Sequence, residues 1–183
     1  FCRDLYIEQA DFMIDPPKKF FRLGPGREIR LKHAYYVKCE EYRTDDEGQV
    51  VEILCTYDPA SRGGWSEDGR KVKGTSHWVS ARHAVDAEVR NYGDLFSEER
   101  PWEYQGDFAE IMNEDSLQIV RGVKIEPALA EAARGETNGT INGNCQFLRQ
   151  GYYTVDLDSR PEAPVFNRTV GLKDSWAKAQ KRG

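Results

Sequence analysis

Two runs of β-branched and aromatic residues, AYYVKCEEYR at 34–43 and VVEILCTY at 50–57, flank TDDEGQ at 44–49, whose aspartates and glycine supply turn chemistry. That order predicts a β-hairpin with a four- or five-residue loop and commits this part of the chain to sheet. Just before it, REIRLK at 27–32 alternates polar and apolar residues. A half-buried strand follows, with Ile29 and Leu31 on one face and Arg30 and Lys32 on the other, about 7 Å apart. Further strands are expected at 72–80, 87–92, 117–125, 146–157 and 165–172. Short helices are expected at 107–112 (capped by Asp107), at 127–133 (started by Pro127) and at 173–181, a tail helix carrying Trp176. Residues 59–69 and GETNGTINGN at 135–144 read as loops. Many short strands without sustained βαβ alternation point to an all-β fold of barrels or sandwiches.

At 183 residues the chain has room for one large domain or two small ones. No run approaches the eighteen or so apolar residues of a membrane helix, so no membrane partner is expected. The first residues, FCRD, lack the apolar stretch of a signal peptide, and the missing initiator Met suggests a fragment or a processed chain. Cys2, Cys39, Cys55 and Cys145 form no CxxC pair, which argues against zinc and for reduced thiols in a cytoplasmic protein.

The formal net charge is −5, but it is segregated. Residues 18–32 hold six basic side chains against the single acid Glu28, whereas residues 86–115 hold ten acids against Arg90 and Arg100. Such a chain can stay acidic overall while offering a cationic face to a polyanion.

No reaction is legible in the residues. Gly24-Pro25-Gly26 lacks the third glycine of a dinucleotide fingerprint, and GRKVKGT at 69–75 carries Thr75 where a phosphate loop needs lysine. His33, His77 and His83 make neither HxH nor HExxH, and no GxSxG elbow surrounds a serine. No catalytic residue and no metal ligand is therefore assigned. Recognition remains. The basic stretch is interleaved with Phe20, Phe21, His33, Tyr35 and Tyr36. Cations beside flat rings suit an unpaired RNA segment, whose phosphates need neutralising and whose bases stack. About half of those rings must face inward as core anchors, because strand residues alternate.

Several long runs, FFRLGPGREIRLKHAYYVKCEE, CTYDP, GRKVKGTSHWVSARHA, EVRNYGDLF and PVFNRTVGLKDSWAK, occur here in one order. In them the chain resembles the carboxy-terminal anticodon-binding region of bacterial-type glutaminyl-tRNA synthetases, from about residue 5 to 178. The resemblance implies two β-barrels with a few short helices: a distal barrel over 16–113, and a proximal one combining 1–15 with 114–183 and incomplete on its N-terminal side. It implies a parent that is a glutamine–tRNA ligase, a class I synthetase, monomeric and cytoplasmic, using ATP and Mg. This segment would carry no cofactor, would not aminoacylate alone, and would bind the anticodon loop of the tRNA for glutamine. Carried over by position, Arg22 falls where the family reads the third anticodon base. Arg30 falls at the first base with Lys32 beside it, Gln146 at the central uridine, and Arg149 nearby as a phosphate or base ligand. Lys19, Phe21, Arg27 and Lys73 are further candidates for base stacking or phosphate contacts. Gln pairs a donor with an acceptor, as uracil does, and Arg offers a donor fork for guanine. Two alternatives stay open: the corresponding region of glutamyl-tRNA synthetases, and a structural RNA-binding barrel of the ribosomal 5S-RNA-binding type.

Overall fold

A computed structural model of the chain describes residues 1–133 and 143–172. The expected tail helix and most of the 135–144 loop lie outside the described residues. Contacts divide the chain into two units, residues 1–82 and 83–183.

The first unit is built on strands β1 (Leu5–Tyr6), β2 (Glu28–Leu31), β3 (Tyr36–Thr44), β4 (Val50–Asp58), β5 (Thr75–Ser76) and β6 (Val79–Ser80). Four of them form a sheet in the order β4-β3-β2-β5, in which β5 runs parallel to β2, and β1 pairs with β6. The expected hairpin is present. Asp45 Oδ1 accepts the amides of Glu47 and Gln49, and Gly48 takes φ +79, which a β-carbon would resist. The alternation of β2 also holds: Ile29 and Leu31 enter a core with Leu23, Ala34, Val37 and Cys39, leaving Glu28 and Arg30 on the other row.

Two expectations need correction in this unit. Strand β2 ends at Leu31, so Lys32 does not continue Arg30's row but opens a turn closed by Ala34 N–H to Leu31 C=O. His33, third in that turn, has φ +59, as a type II turn requires. The strand expected at 72–80 is reduced to β5 and β6. The ladder with β2 ends where Lys32 N–H bonds Ser76 C=O, because Trp78 meets Lys32 through its side chain instead of its backbone.

The second unit holds strands β7 (Val85–Tyr92), β8 (Leu117–Ile125), β9 (Asn144–Phe147), β10 (Gly151–Val155) and β11 (Val165–Gly171), and helix α1 (Pro127–Ala133). Its five-stranded sheet has the order β8-β7-β11-β10-β9, with β7 and β11 parallel. Phe166 is fully buried at its centre beside Val89, Ile125 and Tyr153, and α1 contributes Ala130 to the same core. The helix expected at 107–112 is a 3-10 turn, Phe108–Ile111, with Asp107 accepting from Ala109 N–H as anticipated. The single strand expected at 146–157 is broken into β9 and β10. A turn at 148–150, closed by Gln150 N–H to Phe147 C=O, holds Arg149 at φ +66.

The protein is thus all-β with one short α-helix among the described residues, and the sheets of each unit stay open rather than closing into the barrels that the resemblance implies. No helix among the described residues is long and apolar enough to cross a membrane.

Candidate nucleic-acid interface

The basic stretch of the first unit is a loop leading into β2, held down by its own alternation. Phe20 is 3% exposed and Leu23 2%, whereas Phe21 between them is 52% exposed. The loop lies against the segment carrying Gly74, just before β5, so closely that a β-carbon on Gly74 would stand 2.4 Å from the Phe21 carbonyl oxygen. Only glycine allows that approach. One consequence is that Lys73 reaches over the exposed Phe21 ring, 5.2 Å from its centroid. A cation and a free aromatic face therefore share one small area, with Lys19 exposed on the same loop and Lys71 on the neighbouring segment.

The arginines of this region divide into anchored and available groups. Arg27 donates through Nη1 to Phe20 C=O (2.7 Å) and through Nη2 to Pro16 C=O (3.0 Å), so its fork ties the loop down. Arg22 donates through Nη1 to Ala10 C=O at 2.7 Å, and its Nε lies 3.6 Å from the carboxylate of Asp11, a residue 1% exposed. Its guanidinium also sits 5.8 Å from the Phe20 ring centroid. Among the described residues Nη2 of Arg22 makes no hydrogen bond, so one face of a pre-oriented fork is left for a ligand.

Arg30 and Arg70 share the ring of Tyr36, at 5.6 Å and 5.1 Å from its centroid, yet their electrostatic surroundings are opposite. Arg70 is held by three carboxylates, Glu28 at 3.0 Å and Asp58 and Asp68 at 2.5 Å each. Asp58 is lowered chiefly by its bond from Arg70, and Asp68 is brought down to about 2 by the Ser66 hydroxyl, the Arg70 amide and the Arg70 guanidinium. Arg30 makes no ion pair among the described residues, and its Nε is buried without a hydrogen-bond partner. Its side chain crosses Gly64 (φ +88), where a β-carbon would stand 2.8 Å from Arg30 Cδ. A guanidinium stacked on a ring, aligned by a glycine and lacking a counter-charge is suited to an incoming anion or base edge. Lys32, one turn position beyond, is exposed, and among the described residues its ammonium has no acid partner.

In the second unit Gln146 is exposed on β9, and its register partner is Tyr152 of β10, 47% exposed. Tyr152 in turn faces Val170 of β11. A free carboxamide beside a phenol ring combines hydrogen-bond readout with a stacking surface. The alternate residues, Phe147 and Tyr153, stack on each other at 4.3 Å on the buried side. Arg149 occupies the turn that follows. So in the first unit Lys73 and Phe21 share one area, Arg22 lies against Asp11, Arg30 on Tyr36 and Lys32 in the turn after β2, while Arg27 ties down the loop through Phe20 and Pro16; the second unit carries Gln146 and Arg149. No local pattern in the sequence distinguishes Lys71 or Trp78 from their neighbours. The period-two pattern of GYYTV could have marked Tyr152, but which of two adjacent rings faces outward depends on the core beneath.

Among the described residues no group of three or more His, Cys, Asp or Glu is arranged to hold a metal ion. At Gly24, of the Gly24-Pro25-Gly26 run, a β-carbon would stand 2.9 Å from Met13 C=O, and at Gly74, of the 69–75 run, 2.4 Å from Phe21 C=O, whereas Gly69 has nothing within 4 Å.

Residues 1–58 and 75–156 match two family descriptions, both given as the anticodon-binding domain of class I tRNA synthetases (E and Q). The chain is 55% identical over 183 residues to the glutamine–tRNA ligase of Nitrobacter hamburgensis, 53% to that of Nitrobacter winogradskyi and 49% to that of Bradyrhizobium diazoefficiens. Each match covers 100% of this chain and 31% of the relative's length. With stacked, uncompensated cations on one unit and an exposed amide beside a ring on the other, and with both units matched, the chain belongs to the anticodon-binding domains of the class I synthetases for glutamate and glutamine.

Proposed function

We propose that this chain binds the anticodon loop of the tRNA for glutamine and serves as the anticodon-reading part of a monomeric, cytoplasmic glutamine–tRNA ligase, with the ATP- and Mg-dependent ligation performed outside the chain. The observation that carries the reading is Arg30: a guanidinium on the Tyr36 ring without a carboxylate, beside Arg70 with three. A protein that needed both arginines for packing alone would leave neither uncompensated, since an unpaired charge near the interior is costly.

In this reading Arg30 and Lys32 meet the first anticodon base, Gln146 the central uridine and Arg22 the third base through Nη2, while Lys19, Lys73 and Arg149 neutralise phosphates and Phe21 and Tyr152 offer stacking faces. Arg27 acts on the loop itself. The test is binding of the chain to anticodon stem–loops that differ at one base. Replacing Arg22, Arg30 or Gln146 by alanine should cost about 1–3 kcal/mol on the cognate loop and relax selectivity at one base each. Lys73→Ala should weaken all loops alike and flatten the salt dependence. Equal affinity for an unrelated duplex RNA, with no response to the anticodon, would replace this reading with that of a structural RNA-binding module.

A further inference from the structure

Lys32 is held at both ends of its backbone by one neighbouring segment. Its amide donates to Ser76 C=O at 3.0 Å, and its carbonyl accepts from the indole Nε1–H of Trp78 at 2.9 Å. The second bond is unusual in its consequence. Lys32 and His33 are the central residues of the turn after β2, and His33 sits at φ +59, a conformation that residues with a β-carbon adopt rarely. In a type II turn the central peptide is flipped relative to type I, and only the flipped form demands positive φ at the third position. The carbonyl of that central peptide belongs to Lys32 and is the atom that Trp78 captures. The indole is itself held edge-on by Phe1, with ring centroids 5.6 Å apart.

We infer that Trp78 is a positioning residue for anticodon reading: its indole N–H selects the flipped turn and so fixes the direction in which Lys32 leaves the end of β2. Lysine carries a point charge on a flexible stem, so whatever selectivity Lys32 has must come from where its backbone is aimed. Trp78 contacts no RNA in this scheme. The inference rests on the assignment of Lys32 to the first anticodon base, and the experiment separates the two.

The measurement is a double-mutant cycle between Lys32→Met and Trp78→Phe, read as affinity of the 183-residue chain for anticodon stem–loops varied at the first or third position. Lys32→Met should weaken the cognate loop about tenfold in the otherwise unaltered chain, and by less than roughly threefold once Trp78 is Phe. Discrimination at the first position should fall with Trp78→Phe while discrimination at the third, through Arg22, stays. Because the smaller ring alone could loosen the aromatic cluster, Trp78→benzothienylalanine keeps the bicyclic shape and removes only the N–H, and it should reproduce the loss. Should Lys32→Met cost the same in both backgrounds, or the benzothienyl variant discriminate like the parent, the positioning role is overturned and the assignment of Lys32 stands. An equal loss at first and third positions likewise overturns it, as general loosening. If Lys32→Met has no effect in the parent chain, the assignment of Lys32 itself fails and the inference falls with it.

Discussion

Gly74 and Phe21 approach each other so closely that the space for a β-carbon on Gly74 is already taken by the Phe21 carbonyl, 2.4 Å away, with Ile29 at 2.9 Å on the other side. This contact puts the basic loop and its exposed ring against the segment before β5 that bears Lys73. Gly74→Ala should therefore destabilise the first unit by about 1–3 kcal/mol, the usual cost of overpacking, as measured by urea unfolding. It should also weaken RNA binding beyond what the stability loss explains, because Phe21 and Lys73 separate.

The two guanidiniums on Tyr36 should part company under mutation. Arg30→Ala is expected to reduce RNA affinity by about 1–3 kcal/mol with little change in thermal stability. Arg70→Met should do the reverse, lowering the melting temperature because Glu28, Asp58 and Asp68 are left facing one another. Parallel melting curves and binding titrations distinguish the outcomes.

The Arg70 cluster also sets a pH dependence. An acid whose folded-state value is depressed contributes stability in full above its unfolded value, near 3.9, and loses it as pH falls through the folded value. For Asp68 that folded value is about 2, and Asp58 is lowered as well. The stability gap between the parent chain and Arg70→Met should hold constant above pH 5 or so and close between about pH 4 and pH 2. A gap that persisted at pH 2 would place the effect of Arg70 in packing against Tyr36 instead.

Cys2 should be the first thiol to react. Its value is lowered, first by the Ser80 hydroxyl and then by the Arg82 backbone, and it is only half-buried. Burial raises Cys39 and takes Cys145 up to about 11. Alkylation near pH 8, followed by mass mapping, should modify Cys2 well before Cys39 or Cys145, since the thiolate is the reacting form. Ser80→Ala should slow Cys2 specifically.

The left-handed conformation of His33 carries a stability prediction independent of RNA. His33→Val places a β-branched side chain at φ +59 and should cost about 1–2 kcal/mol in chemical denaturation. His33→Gly should not.

Much of this fold was written locally. The 34–57 hairpin, the inward row of Ile29 and Leu31, the cap by Asp107 and the bounds of α1 and β8 all follow from near-neighbour rules: side-chain period, turn propensity and capping. The segregation of charge that makes residues 18–32 basic is legible in the same way, as are the long runs shared with the matched family. Distances along the chain, by contrast, cannot say which of Phe20 and Phe21 is buried. Nor can they show that Arg27 spends its donors on the loop while Arg30 keeps its own, or that Arg70 draws its carboxylates from positions 28, 58 and 68. The extent of β2 and the division of 146–157 into two strands depended on bonds from Ser76, Trp78 and the 148–150 turn. Those are choices among partners far apart in sequence, and they are settled by which groups the packed core brings within hydrogen-bond and ion-pair reach.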